Sequence, residues 1–303
     1  MTRRSVLRFA WAALIALPCS FSSVAHGGTP APELFQRVAI IGASVSAGFC
    51  TDEFVGGRRT PEFRLANYFN EALTCDHEPV VSRASKMLFL DARRSLEKQV
   101  GETLEAKPTL VVALDSLFWF CYGKDLTSPQ RLELFEFGLK QLDRIPTPII
   151  VGDLPDARHA AGGILSIAEV PEAEVLVKCN ERLKAWASEK KNVTLFPFAA
   201  MMKAAVSSQP FTLGGRTWEA GKTRMLLQRD LLHPSHLGLA TIAVATLDSA
   251  SATVQPPVPQ TFYRRDLESL TRDAVMAGVK QSQEASARAK SSSPAPPVPQ
   301  PAK

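Results

Sequence analysis

The chain has 303 residues, 45% hydrophobic and 21% charged, enough for one sizeable globular domain with extensions. Its formal net charge of +5 collects at the ends: Arg3, Arg4 and Arg8 open the chain, and residues 261–303 carry seven basic against four acidic side chains. The body between is near neutral and lacks the basic footprint of a nucleic-acid-binding protein.

In chain order, residues 1–25 read as a signal peptide. They have a basic start, an apolar run from Phe9 to Pro18, and small residues at Ser23-Val24-Ala25. Thr2-Arg3-Arg4-Ser5-Val6-Leu7-Arg8 also resembles a twin-arginine export signal, with Val6 where an aromatic is usual. The expected location is therefore periplasmic or extracellular, by either route. Pro18 directly before Cys19 departs from the lipoprotein cleavage pattern. The remaining Cys50, Cys75, Cys121 and Cys179 are an even set that suits an oxidising compartment in any of three pairings, or else four small buried thiols.

Across 33–252, short apolar runs alternate with longer amphipathic stretches. Strands are expected at 38–41, 79–82, 110–114, 148–151 and 193–196, and helices at 61–73, 88–103, 130–142, 173–188 and 235–247. The strands are continuously rather than alternately apolar, which argues for burial on both faces. Strand–helix repetition then gives right-handed crossovers, a mainly parallel sheet of about five strands, and a three-layer α/β/α sandwich. Reactive residues of such folds collect at the carboxyl ends of the strands. Ser44 follows the first strand there, Asp115 the third and Asp153 the fourth.

From residue 253 the composition changes. Two copies of Pro-Pro-Val-Pro-Gln, at 256–260 and 296–300, flank a polar helix-capable stretch, and proline spacing of this kind favours extended, solvated backbone. Residues 253–303 are expected to be a mostly disordered tail, one able to associate with the envelope. Within it, Leu267, Leu270, Ala274 and Val279 form one weak apolar stripe.

Two segments carry chemistry: Gly42-Ala43-Ser44 after the first strand, and Asp230-Leu231-Leu232-His233-Pro234-Ser235 before the last helix. A serine hydroxyl becomes a useful nucleophile when an imidazole takes its proton, and that imidazole needs a carboxylate to fix its tautomer. Ser46 is the rival nucleophile, deeper in the same turn. Asp230, His233 and His236 have the spacing of a metal set, but Pro234 places His233 in a loop; neither metal nor cofactor is expected. His77 and His159 read as solvated loop residues. Phe118, Trp119 and Trp218 read either as core or as an apolar platform for substrate.

A Gly-x-Ser turn after the first strand, with Asp-x-x-His before the last helix, resembles the SGNH (GDSL-type) hydrolases, over roughly Arg37 to Ala250. The resemblance implies a flavodoxin-like sheet, Ser44 as nucleophile, His233 as base and Asp230 as its orienting carboxylate. The substrate it implies is a small-molecule, lipid or glycan ester. The chain departs from the family in having Gly42-Ala43-Ser44 where Gly-Asp-Ser is usual. No glycine stands in Ser82-Arg83-Ala84-Ser85-Lys86, the best match to the second block, and no asparagine in Ala113-Leu114-Asp115-Ser116, where the third block is expected. The oxyanion donors are then expected from Ser44, Lys86 (or Ser85 beside it) and Ser116, with Asp115, Trp119 and Asp153 lining the substrate. The departures also leave room for a non-catalytic glycan- or lipid-binding protein on this fold, or for an acyltransferase using the same serine.

Overall fold

The computed structural model describes residues 33–51, 63–213, 216–254 and 257–291. The expected signal peptide and the second proline block lie outside the described residues. Five parallel strands form the sheet: β1 (Val38–Ile40), β2 (Val81–Ser82), β3 (Leu110–Ala113), β4 (Ile149–Gly152) and β5 (Val193–Phe196), in the order β2-β1-β3-β4-β5. Ala39 stands opposite both Val81 and Val111, and Val112 opposite Ile150. This is the flavodoxin-like order, whose switch point falls between β1 and β3 and opens a crevice at their carboxyl ends.

The β-branched runs become central strands because both faces are covered. Every residue of β1, β3 and β4 is buried, whereas β5 at one edge is mostly half-buried. Side chains alternate between faces. Val38, Ile40, Leu110, Val112 and Ile150 enter one core with α2 (Leu65–Ala72), α8 (His236–Ser251) and α9 (Leu267–Ser291). Val111, Ala113, Ile149 and Val151 enter the other with α3 (Ala92–Glu105), α4 (Phe118–Cys121), α5 (Ser128–Leu142) and α6 (Ala173–Ser188). The result is a three-layer α/β/α sandwich.

The expected strands and long helices are present with ends shifted by a few residues, and α6 spans the predicted 173–188. Elements not read from the sequence include the single turn α4, α7 (Phe198–Ser207), and the hairpin of β6 (Phe211–Leu213) and β7 (Arg216–Trp218). The stretch after residue 253 differs most from expectation. Rather than a disordered tail, residues 267–291 form α9, which packs on α2 and α8 and buries Leu267, Leu270 and Ala274. Ahead of it, Val258 and Tyr263 enter the same core, and the Tyr263 hydroxyl donates to Asp248 at 2.7 Å. The short apolar stripe was enough because α2 and α8 present a matching apolar surface, and tertiary burial outweighs weak helix propensity.

Cys50, Cys75, Cys121 and Cys179 are all buried free thiols. The Cys121 thiol is pushed up by its hydrogen bond with Cys179 and by burial, which keeps it protonated.

Candidate active site

The first half of the site is the turn after β1. Ile41 still pairs with the sheet, its N–H donating to Val112 at 2.9 Å, and Gly42 then turns at φ +147°. A Cβ at Gly42 would lie 2.1 Å from Asp115 Oδ1, so both the backbone angle and the space require glycine. The Gln99 side chain clamps this turn like a neighbouring strand: its Oε1 accepts from Gly42 N–H at 2.8 Å and its Nε2 donates to Gly42 C=O at 3.1 Å. Ser44 opens α1 (Ser44–Ala47), a single turn that Gly48 ends in the left-handed region at φ 83°.

Asp115, at the end of β3, closes the turn from below. Its Oδ2 accepts the N–H groups of Val45 (2.8 Å) and Ser46 (3.2 Å), and its Oδ1 accepts the Ser46 hydroxyl at 2.6 Å. Burial raises its carboxyl above the usual carboxylate range, against the lowering effect of those hydrogen bonds. Ser46 is fully buried and its proton is committed to Asp115, which removes it as the rival nucleophile. Among the described residues, no acceptor takes the N–H of Ser44.

The second half is the loop before α8. Leu227 and Pro234 form an antiparallel bridge, Gln228 N–H donates to His233 C=O at 2.8 Å, and Ser235 caps α8 by accepting from Gly238 N–H. Inside the loop, Asp230 Oδ1 accepts the N–H groups of Leu232 and His233, each at 3.0 Å, and Leu231 sits at φ 62°. That left-handed angle is costly for leucine and lets the aspartate fold back on the histidine.

The halves meet at His233. Its Nδ1 lies 2.6 Å from Asp230 Oδ2 and its Nε2 lies 2.8 Å from Ser44 Oγ. An ionised carboxylate only accepts, so Nδ1–H donates to Asp230 and Nε2 accepts the Ser44 hydroxyl. His233 is 3% exposed, and the Phe49 ring lies over its imidazole with centroids 4.2 Å apart. Burial pushes the Asp230 carboxyl up, but the hydrogen bonds and charge of His233, with the Leu232 N–H, leave it below the ordinary value. Ser44, His233 and Asp230 thus form one hydrogen-bonded line at the carboxyl end of the sheet.

No protein-family model matches the sequence, and no curated protein matches it. Similar solved structures include a lipase/acylhydrolase from Enterococcus faecalis, with 16% identity over 70% of this chain and 93% of that one and a TM-score of 0.45. A gut microbial diltiazem-metabolizing enzyme is 13% identical over 74% of this chain and 48% of that chain, with a TM-score of 0.44. TesA is 16% identical over 74% of this chain and 100% of that chain, with a TM-score of 0.39.

Several expected site residues do other work. The Ser116 hydroxyl is fully buried and donates to Ala113 C=O at 2.9 Å, so it is not an oxyanion donor. Asp115 holds the nucleophile turn instead of lining the substrate. Asp153 accepts from Ala199 N–H at 2.6 Å and so caps the first turn of α7; burial raises its carboxyl. In the loop after β2, Ser85 N–H donates to Gly42 C=O at 3.0 Å, which places Lys86 in the loop beside the nucleophile turn.

Trp119 is half-buried between Phe89 and Phe118, and its indole N–H has no hydrogen-bond partner among the described residues. Phe118 is core, stacked on Tyr122. Trp218 lines a separate cavity of about 480 Å³ with Arg216, Leu237, Leu267 and Thr271. His236 is held by Tyr68 Oη at 2.7 Å and stacked on Phe63, so its ring does not face Asp230 as a metal ligand would.

Gln228 was not singled out in the sequence, and His159 was read there only as a solvated loop residue. The Gln228 side chain donates to Phe49 C=O (2.8 Å) and Pro234 C=O (2.9 Å) and accepts from Thr51 N–H (2.9 Å), tying the segment after Ser44 to the His233 loop. Its one signal was a polar residue two positions before Asp230. The His159 ring hydrogen-bonds Leu231 C=O at 2.8 Å.

Proposed function

We propose that the chain is an exported serine hydrolase of the esterase type, cleaving an acyl or acetyl ester of a lipid, glycan or small molecule through an acyl-enzyme on Ser44. The observation that carries this reading is His233, hydrogen-bonded to Ser44 on one side and Asp230 on the other.

In the first step His233 Nε2 takes the Ser44 proton as Oγ attacks the ester carbonyl, and the imidazolium returns that proton to the leaving alcohol. Asp230 stays ionised, fixes the tautomer and stabilises the imidazolium. Water then attacks the acyl-enzyme by the same route and frees Ser44. The proposed backbone donor to the oxyanion is the Ser44 N–H, with a second donor from Lys86 in the loop after β2. Asp115 takes the N–H groups of Val45 and Ser46, which leaves the Ser44 N–H as the donor of α1 that faces substrate.

A non-catalytic binder on the same fold is the second reading. It is favoured by the lack of a side-chain oxyanion donor at Asp115 and Ser116, since losing one such donor costs about 10²–10³ in turnover. Hydrolysis of p-nitrophenyl acetate and longer acyl esters separates the two. The proposal expects turnover that is lost in both Ser44→Ala and His233→Ala; turnover that persists in folded Ser44→Ala, or is absent from the wild type, contradicts it.

A further inference from the structure

The loop between β2 and α3 carries an apolar surface that the hydrolase reading does not use. Leu88 is fully buried and anchors a 3-10 turn over Leu88–Leu90. Around it Met87, Phe89 and Leu90 project outward, 55%, 45% and 71% exposed. Three large apolar side chains displayed on one short turn are costly to leave in water and mark a contact surface.

The position of this turn is specific. β2 pairs with β1, Ser85 hydrogen-bonds the Gly42 turn, and Phe89 packs on Trp119, four residues beyond Asp115. The turn therefore sits at the same sheet edge as Ser44, in the loop that follows β2 and against the segment that follows β3.

Its charge identifies the partner. Arg83, Lys86, Arg93 and Arg94 flank the apolar turn, and Asp91, the one acidic residue between them, is occupied in capping α3 through Arg94 N–H at 3.0 Å. Arg93 and Arg94 lie in the first turn of α3, where cations oppose the helix dipole, so helix stability does not explain them. Arg83 and Arg93 reach Glu102 and Glu133 at 3.6 and 3.3 Å, but these are exposed pairs of the weak, exchangeable kind.

We infer that Met87, Phe89 and Leu90, with their basic flank, form a docking surface for an anionic lipid bilayer. Apolar side chains enter the acyl boundary, and arginines meet the headgroup charge. The inference rests on the proposed hydrolase only for its purpose, which is to bring a membrane-borne ester to Ser44.

Sedimentation with vesicles tests it, using the full chain, phosphatidylcholine vesicles, and vesicles of phosphatidylcholine mixed with phosphatidylglycerol. The wild type is expected to pellet with the mixed vesicles and much less with phosphatidylcholine alone. The double variant Phe89→Ser/Leu90→Ser is expected to bind about tenfold more weakly or worse, and Arg94→Glu about fivefold more weakly. Both changes are at exposed positions, and circular dichroism with thermal unfolding verifies the fold. Equal pelleting of wild type and both variants overturns the surface. So does binding to neither vesicle, or a wild-type dimer in solution that the double variant abolishes without any vesicle binding. Ser44→Ala is expected to bind vesicles like the wild type. Vesicle binding by a wild type that hydrolyses no ester would therefore sink the hydrolase and leave the surface standing.

Discussion

The Ser46 hydroxyl donates to the Asp115 carboxylate at 2.6 Å, and that bond gives the two serines of the nucleophile turn different work. Ser46 and Asp115 are structural, buried together under α1, while Ser44 is left half-buried toward His233. The carboxylate thus organises the backbone that presents Ser44, at the strand end where the family resemblance implies an asparagine donor.

Asp115→Ala strands the N–H groups of Val45 and Ser46 in a buried site and is expected to cost about 2–4 kcal/mol. Asp115→Asn should be much milder, since its oxygen can accept the N–H groups and its amide can donate to Ser46. Burial raises the Asp115 carboxyl, so the folded state holds its proton more tightly than the unfolded chain. Stability therefore falls as pH rises from the ordinary value of 3.8 through the raised one. Urea unfolding at about pH 4 and about pH 8 should show Asp115→Asn gaining on the wild type at the higher pH; a pH-independent difference contradicts the assignment.

Asp230 has the opposite sign. Its folded carboxyl lies below the ordinary 3.8, so its contribution to stability is present above that value and is lost as pH falls through the folded one. Asp230→Asn removes that acid-side loss, and it is expected to lower kcat by about 10²–10⁴ with little change in KM, because it fixes a tautomer and does not bind substrate. A raised KM with unchanged kcat would place Asp230 in binding instead.

Gln228 spans 179 positions of sequence to hold Phe49, and it holds Pro234 with the same amide. Gln228→Ala is expected to cost about 1–3 kcal/mol and to lower kcat more than it raises KM, because it loosens His233 against Ser44. Unfolding curves and steady-state kinetics on the same preparation check both; a stable variant with wild-type kcat contradicts the clamp.

The helix α9 belongs to the domain. Leu270 is fully buried against α2 and α8, and Leu270→Ala is expected to cost about 2–5 kcal/mol. Ending the chain at Thr253 should unfold the domain or expose its core. A truncated chain that melts with the wild type would return 253–303 to the status of a dispensable tail.

The sheet was legible because its central strands β1, β3 and β4 are short, largely β-branched and apolar on both sides, and because amphipathic runs separate the strands. Ser44, Asp230 and His233 were legible as a set since chemistry restricts which residue types can act together. The oxyanion side was not. Whether Asp115, Ser116 and Asp153 face substrate or backbone depends on which N–H groups the turns leave unpaired, and strand-end position alone does not say. The Asp153 carboxylate was drawn to α7, a helix that periodicity had not revealed. The tail was misread for a related reason: proline blocks describe local backbone preference, whereas the partner surface for Leu267, Leu270 and Ala274 lies on helices about 200 and 25 residues away.

The central claim is that Ser44 is a nucleophile made reactive by His233. Fluorophosphonate labelling of the folded protein, with the modified peptide mapped by mass spectrometry, tests it most directly. Stoichiometric modification at Ser44, abolished in Ser44→Ala and strongly slowed in His233→Ala, is the predicted result; a folded wild type that stays unlabelled, or carries the label on another residue, would contradict it.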